Sequence, residues 1–175
     1  MKTPDVPWSV PVRLVEVGRG FDRTLAPDEA TLKRIAAGLD LAALNSFIAK
    51  VKVSPWLDGA EVEGRWKAEL AYTCGLTLDP FDSALEGEFR LRLLPADSPN
   101  APAEEPEAVI DLEGEDPPDL LETDVIDLGV YLVEHLALEL DPFPRKPGAA
   151  FEPPPEPEVP SPFAVLVQLR PKDKT

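Results

Sequence analysis

Three pairs of cations recur at a spacing of two: Lys50 and Lys52, Arg65 and Lys67, Arg90 and Arg92. Side chains two apart on an extended chain point to the same side. If the three stretches are neighbouring strands, the six cations share one sheet face, and such a face binds phosphates by displacing their counterions. Two further side chains could do chemistry: Cys74, the single cysteine, and His135, the single histidine. A reactive thiol needs a neighbour that lowers its pKa, and a histidine base needs a nucleophile within hydrogen-bond reach. Neither need is met by a motif, since the chain holds no Gly-rich phosphate loop, no His-Glu-x-x-His and no elbow serine. The expectation is a packed histidine, a small buried cysteine and no enzyme.

The cations stand on segments that alternate. Phe47, Ala49, Val51 and Val53 alternate with Ile48, Lys50 and Lys52; Val62, Trp66, Ala68, Leu70 and Tyr72 alternate with Glu63, Arg65, Lys67 and Glu69; Leu85, Phe89, Leu91 and Leu93 alternate with Glu86, Glu88, Arg90 and Arg92. This pattern predicts a three-stranded antiparallel meander. With Asp58-Gly59 as a two-residue turn, Val51 lies opposite Trp66 and Phe47 opposite Leu70, while Lys50 lies opposite Lys67 and Lys52 opposite Arg65. Pairing Phe89 with Ala68 brings Arg90 and Arg92 into the same patch. Like charges directly opposite one another disfavour a sheet. The patch therefore has three readings: a platform for RNA phosphates, an ordinary solvated face, or a cradle for an acidic segment of the chain itself. No aromatic residue is expected beside the cations, so base stacking is not predicted. Trp66 belongs to the core by alternation, and Trp56 either packs on the turn or makes contacts.

A net charge of −16 argues against nucleic acid until its distribution is read. Residues 97–160 hold 18 Asp and Glu against Arg145 and Lys146, and the rest of the chain is neutral. Prolines follow the same boundary, 15 of 22 falling between Pro95 and Pro162. The expected organisation is a single domain over 1–175 with a mobile acidic linker at about 96–121 and a Pro/Glu-rich tether at about 149–160, segments too poor in apolar surface to offset the entropy of ordering. Around this, Val10 to Val17 suggest a first strand near Pro7 and Pro11, and Pro27 to Ala37 a short helix ending at Gly38. A second helix is predicted from Asp124, its N-cap, to Leu140, stopped by Asp141-Pro142. Ser161-Pro162-Phe163 opens either a last short helix to about Leu169 or an edge strand. The fold class expected is α+β, an antiparallel sheet covered by the helix of the C-terminal half. No apolar run suits a secretory leader or a membrane-spanning helix, and the expected location is the cytoplasm.

Three passages then resemble the YceD family, the large ribosomal RNA subunit accumulation proteins. They are Tyr72-Thr73-Cys74-Gly75 with Pro80-Phe81, Ile126-Asp127-Leu128 through Leu140-Asp141-Pro142, and Pro162-Phe163-Ala164-Val165-Leu166. The resemblance implies a bacterial protein with a role in 23S ribosomal RNA accumulation and large-subunit assembly, with no enzymatic activity. Implied partners are large-subunit ribosomal RNA or a precursor particle; an acidic holder for a basic ribosomal protein is the other binding mode considered. Membrane and small-molecule partners are not expected. Many relatives carry a Cys-x-x-Cys pair where this chain has Cys74-Gly75-Leu76-Thr77, and one cysteine with one distant histidine cannot furnish a tetrahedral zinc site. No metal or cofactor is expected.

Overall fold

The computed structural model describes residues 7–102 and 116–150. Its centre is the predicted meander: β3 (Ala43–Trp56), β4 (Gly59–Thr73) and β5 (Pro80–Pro95), all antiparallel. The alternation that predicted these strands also divides their faces. Phe47, Ala49, Val51, Val53, Val62, Trp66, Ala68 and Leu70 are all buried, while Lys50, Lys52, Arg65 and Lys67 are exposed.

The register differs from the expected one, by two residues in the first hairpin and by four in the second. Trp56 pairs with Gly59, so the turn residues are Leu57 and Asp58, with Leu57 at a φ of 52°. A slip of two leaves every side chain on its own face, so burial alone cannot choose between the two registers. Gly59 serves instead as a strand residue, since a Cβ there would lie 1.9 Å from the Leu93 carbonyl oxygen. In the second hairpin Phe89 lies opposite Gly64 rather than Ala68. Its ring occupies the space above that glycine, where a Cβ would come within 2.3 Å.

Further elements were placed differently from expectation. β1 (Pro11–Arg13) stops early: the Arg13 N–H donates to the Glu16 carboxylate at 2.9 Å, and Leu14–Arg19 turns into a 3-10 helix where the strand was expected to continue. β2 (Phe21–Leu25), which was not anticipated, adds to the open edge of β3. α1 (Glu29–Gly38) is capped by Asp28, whose carboxylate accepts the Thr31 N–H at 2.8 Å. Within the 96–121 stretch, Ser98 and Asn100 donate to Asp58, and β6 (Asp119–Leu121) runs parallel to Leu93–Pro95 of β5. Residues 103–115, most of the tether, and the last helix or strand lie outside the described residues.

Asp124 does not cap the second helix. Val125–Asp127 instead forms β7, paired with β1, and α2 (Leu128–Leu138) begins three residues later than that reading required. The Asp127 carboxylate caps it, accepting from Gly129 N at 3.1 Å and Val130 N at 3.4 Å, and also takes the Val10 N–H at 2.8 Å. Leu128, Leu132 and Leu136 of α2 complete a core with Val12, Ile126, Phe47 and Trp66 against the inner face of the five-stranded sheet β2-β3-β4-β5-β6. The α+β class holds, with the C-terminal-half helix packed as expected.

Candidate nucleic-acid interface

The outer sheet face carries all six sequence-predicted cations, but not as a uniform patch. In the observed register Lys52 lies opposite Glu63, Arg65 opposite Glu88, Lys67 opposite Glu86, Arg90 opposite Glu63 and Arg92 opposite Glu61. Five of the six reach a carboxylate: Lys52–Glu63 at 3.2 Å, Arg65–Glu88 at 3.3 Å, Lys67–Glu86 at 2.7 Å, and Arg90 and Arg92 both on Glu61 at 2.7 and 3.2 Å. The expected pairs Lys50–Lys67 and Lys52–Arg65 are thus replaced, and a single like-charge pair, Lys50 opposite Arg65, remains.

These pairs differ in what they leave available. Arg65, Glu88, Lys67 and Glu86 have side chains 72–83% exposed, where a salt bridge contributes about 0–1 kcal/mol and yields to a competing anion. Glu61 is 14% exposed and holds two guanidinium groups, which keep its carboxyl below the usual range. Arg92 also stacks over the Trp56 ring at 5.0 Å, so one aromatic does stand among the cations, contrary to expectation. Arg90 and Arg92 are therefore anchored residues. Lys50, Lys52, Arg65 and Lys67 are the accessible ones, and Lys50 makes no ion pair among the described residues.

Two shallow depressions cross this face, about 760 and 810 Å³ in volume, and both are walled by Lys50 and Arg65. The first gathers Lys50, Lys52, Arg65 and Arg90 against Asp22, Glu63 and Glu88. Four cations to three carboxylates leave it locally positive in an acidic chain. Edge strand β2 contributes Asp22 and Thr24 to this face, whereas Arg23 lies opposite Val51 and leaves on the other side, its guanidinium 4.5 Å above the Phe21 ring.

Cys74 and His135 take structural places. Cys74 is fully buried, and its Sγ accepts the Lys146 N–H at 3.4 Å. The Thr77 hydroxyl, then backbone N–H groups of Lys146, Thr77 and Leu76, bring its pKa down to about 6. Around it the loop after β4 is tied to the chain after α2: Gly75 N–H donates to the Pro144 carbonyl at 2.9 Å, and Asp141 N–H to the Tyr72 hydroxyl at 3.1 Å. Two of the passages singled out in the sequence thus form one junction. His135 stacks on Phe89 with ring centroids 4.2 Å apart, and burial lowers its pKa. Among the described residues, no group of three or more His, Cys, Asp or Glu could hold a metal ion, and no helix is long and apolar enough to cross a membrane.

The sequence model of the family described as large ribosomal RNA subunit accumulation protein YceD matches residues 62–170. This span includes all but the first three residues of β4, and β5, α2 and the Cys74 junction. No curated protein and no solved structure matches the chain.

Proposed function

The chain belongs to the YceD family of large ribosomal RNA subunit accumulation proteins, and from that premise we propose that it is a non-enzymatic, cytoplasmic factor in large-subunit assembly. In this reading it meets 23S ribosomal RNA, or a precursor particle carrying it, through the Lys50–Arg65 region of the outer sheet face. The observation that carries it is the locally positive depression, four cations to three carboxylates, on a chain of net charge −16. A like-charge pair kept directly opposite in a sheet costs stability, and an incoming phosphate relieves that cost. Exposed carboxylates beside the cations keep affinity modest, as suits a factor that leaves the finished particle. No nucleophile and base are assembled in the described residues, and neither a small-molecule substrate nor a membrane enters the proposal.

The test is binding to large-subunit ribosomal RNA fragments across a salt series, with wild type beside the double variant Lys50→Glu and Arg65→Glu. Each phosphate neutralised contributes about −0.7 to −0.9 to the slope of log affinity against log salt. The double variant should flatten that slope by roughly two and bind at least about tenfold more weakly at low salt. Wild type that fails to bind at low salt, or a variant that binds equally well, would remove the RNA face from consideration.

A second reading rests on a different observation. The 18 acidic residues of 97–160, set against two basic ones, suit a holder for a basic ribosomal protein. Neutralising the acidic residues of 104–115 would then abolish capture of such a protein, while the Lys50/Arg65 reversal would leave it intact.

A further inference from the structure

The charges of the outer sheet face are ordered in rows across the strands. Ile48, Lys67 and Glu86 stand side by side on β3, β4 and β5; two residues further along lie Thr24, Lys50, Arg65 and Glu88, and after them Asp22, Lys52, Glu63 and Arg90. Lys67, then Arg65 beside Lys50, then Lys52 form a basic track that runs along the strands. Rows two residues apart are about 7 Å apart, so the track is about 14 Å long. An acidic row runs parallel to it on the side of β5: Glu86 next to Lys67, Glu88 next to Arg65 and Glu63 next to Lys52. Asp22 flanks Lys52 from β2 on the other side. Arg90, beyond Glu63, is held by Glu61 at 2.7 Å and lies outside the track.

We infer that this face takes the backbone of a single RNA strand and rejects duplex RNA, an inference that rests on the RNA reading proposed above. The step between rows is close to that between successive phosphates of an extended strand, so one phosphate can sit on Lys67, the next on the Lys50–Arg65 pair and the next on Lys52. The cations turn to phosphate readily. Lys67–Glu86 and Arg65–Glu88 have side chains 72–83% exposed, and Lys52 and Glu63 are 57% and 41% exposed, where ion pairs contribute little. Their carboxylates stay beside the track. A duplex is stiff and lays phosphates of both backbones on a broad face, some of them on the Glu86–Glu88–Glu63 row or on Asp22, where like charge repels them. A single strand bends to follow the track and meets neither. No aromatic side chain stands in these three rows, so bases are not stacked, and the preference is for strandedness rather than sequence.

The test sets an unstructured RNA of about ten nucleotides beside a blunt duplex of the same sequence, each titrated with the full chain at low salt. The native chain should bind the single strand about tenfold or more tightly than the duplex, and Lys50→Glu with Arg65→Glu should abolish binding of both. The double variant Glu86→Gln and Glu88→Gln, at two exposed positions, should strengthen duplex binding by about tenfold and single-strand binding by less than about threefold, so that the preference narrows. Duplex bound by the native chain as tightly as single strand would overturn the inference while leaving the RNA reading of the face in place. A preference that the Glu86/Glu88 variant leaves unchanged would also overturn it, because the acidic row then does not set the choice. Binding of neither form by the native chain removes the RNA reading itself, and the inference with it.

Discussion

The two faces of the central sheet obey different rules. On the inner face each position is decided by burial: Phe47, Val51, Trp66 and Leu70 are each no more than 2% exposed, and Phe47 makes edge-on contacts with both Trp8 and Trp66 at 5.8 Å. On the outer face the same strands carry charges in water, where a pair contributes little and partners exchange readily. Alternation therefore fixes which face a residue occupies, whereas the partner it meets depends on turn geometry and on where a glycine lets an aromatic ring in. Function, if it resides on the outer face, is insulated from the packing that builds the sheet.

That separation is broken most strongly by Phe47→Ala. Removing a fully buried ring at the centre of the aromatic cluster should cost about 3–5 kcal/mol, measured by denaturant unfolding. Ribosomal RNA binding per folded molecule should stay the same. A core substitution that weakened binding without unfolding the chain would show that the two faces are coupled. Next in size is Asp127→Ala. It removes the α2 cap and the acceptor that ties Val10 to the helix start, and should cost about 1–2 kcal/mol in the same measurement. Asp124→Ala should change stability by less than about 0.5 kcal/mol, because that residue does not cap.

The faces also separate by pH. Glu61 and Glu86 on the outer face titrate below the ordinary carboxylate value, held down chiefly by Arg90 and Lys67 respectively, so their contribution is complete above that value and is lost as pH falls below it. Cys74, at the end of the inner face, titrates near 6 against an ordinary value of 9.0. The folded chain then binds fewer protons than the unfolded one between those values, so stability attributable to this thiolate is complete above about pH 9 and is lost as pH falls toward 6. The thiolate absorbance of the native chain should titrate with a midpoint near 6, and Thr77→Val should move that midpoint upward. A midpoint at or above 8 in the native chain would remove the hydrogen-bonded thiolate from the description of the junction.

Much of this fold was legible in the residues. The strands around Lys50, Lys67 and Arg90 announced themselves because one face is buried and the other wet, and α2 because Leu128, Leu132 and Leu136 recur at helical spacing. What was not legible depends on contacts distant in sequence. The strand β7 replaced the first turn of the expected helix because Ile126 pairs with Val12, more than a hundred residues earlier, and no local pattern records that. β6 is three residues in an acidic stretch, visible only once Leu93 offers an edge. The six cations were correctly assigned to one face, but their partners were not, since a slip of two or four residues preserves every face while exchanging Lys50–Lys67 for Lys50–Arg65. The Gly59 that seemed to mark the turn was needed for close approach to Leu93 instead.

The finest distinction lies within the outer face, between pairs that hold the sheet and cations left for a ligand. A double-mutant cycle on Lys67 and Glu86, both more than 70% exposed, should give a small coupling that fades in 1 M salt. The equivalent cycle on Arg90 and Glu61, whose carboxylate is largely shielded and shared with Arg92, should give a larger coupling that salt diminishes less. If the two cycles agree, the division of the six cations into anchored and accessible groups fails. If they differ as expected, Lys67→Ala should reduce RNA affinity modestly with little loss of stability. Arg90→Ala should do the reverse, because its guanidinium is already engaged by Glu61.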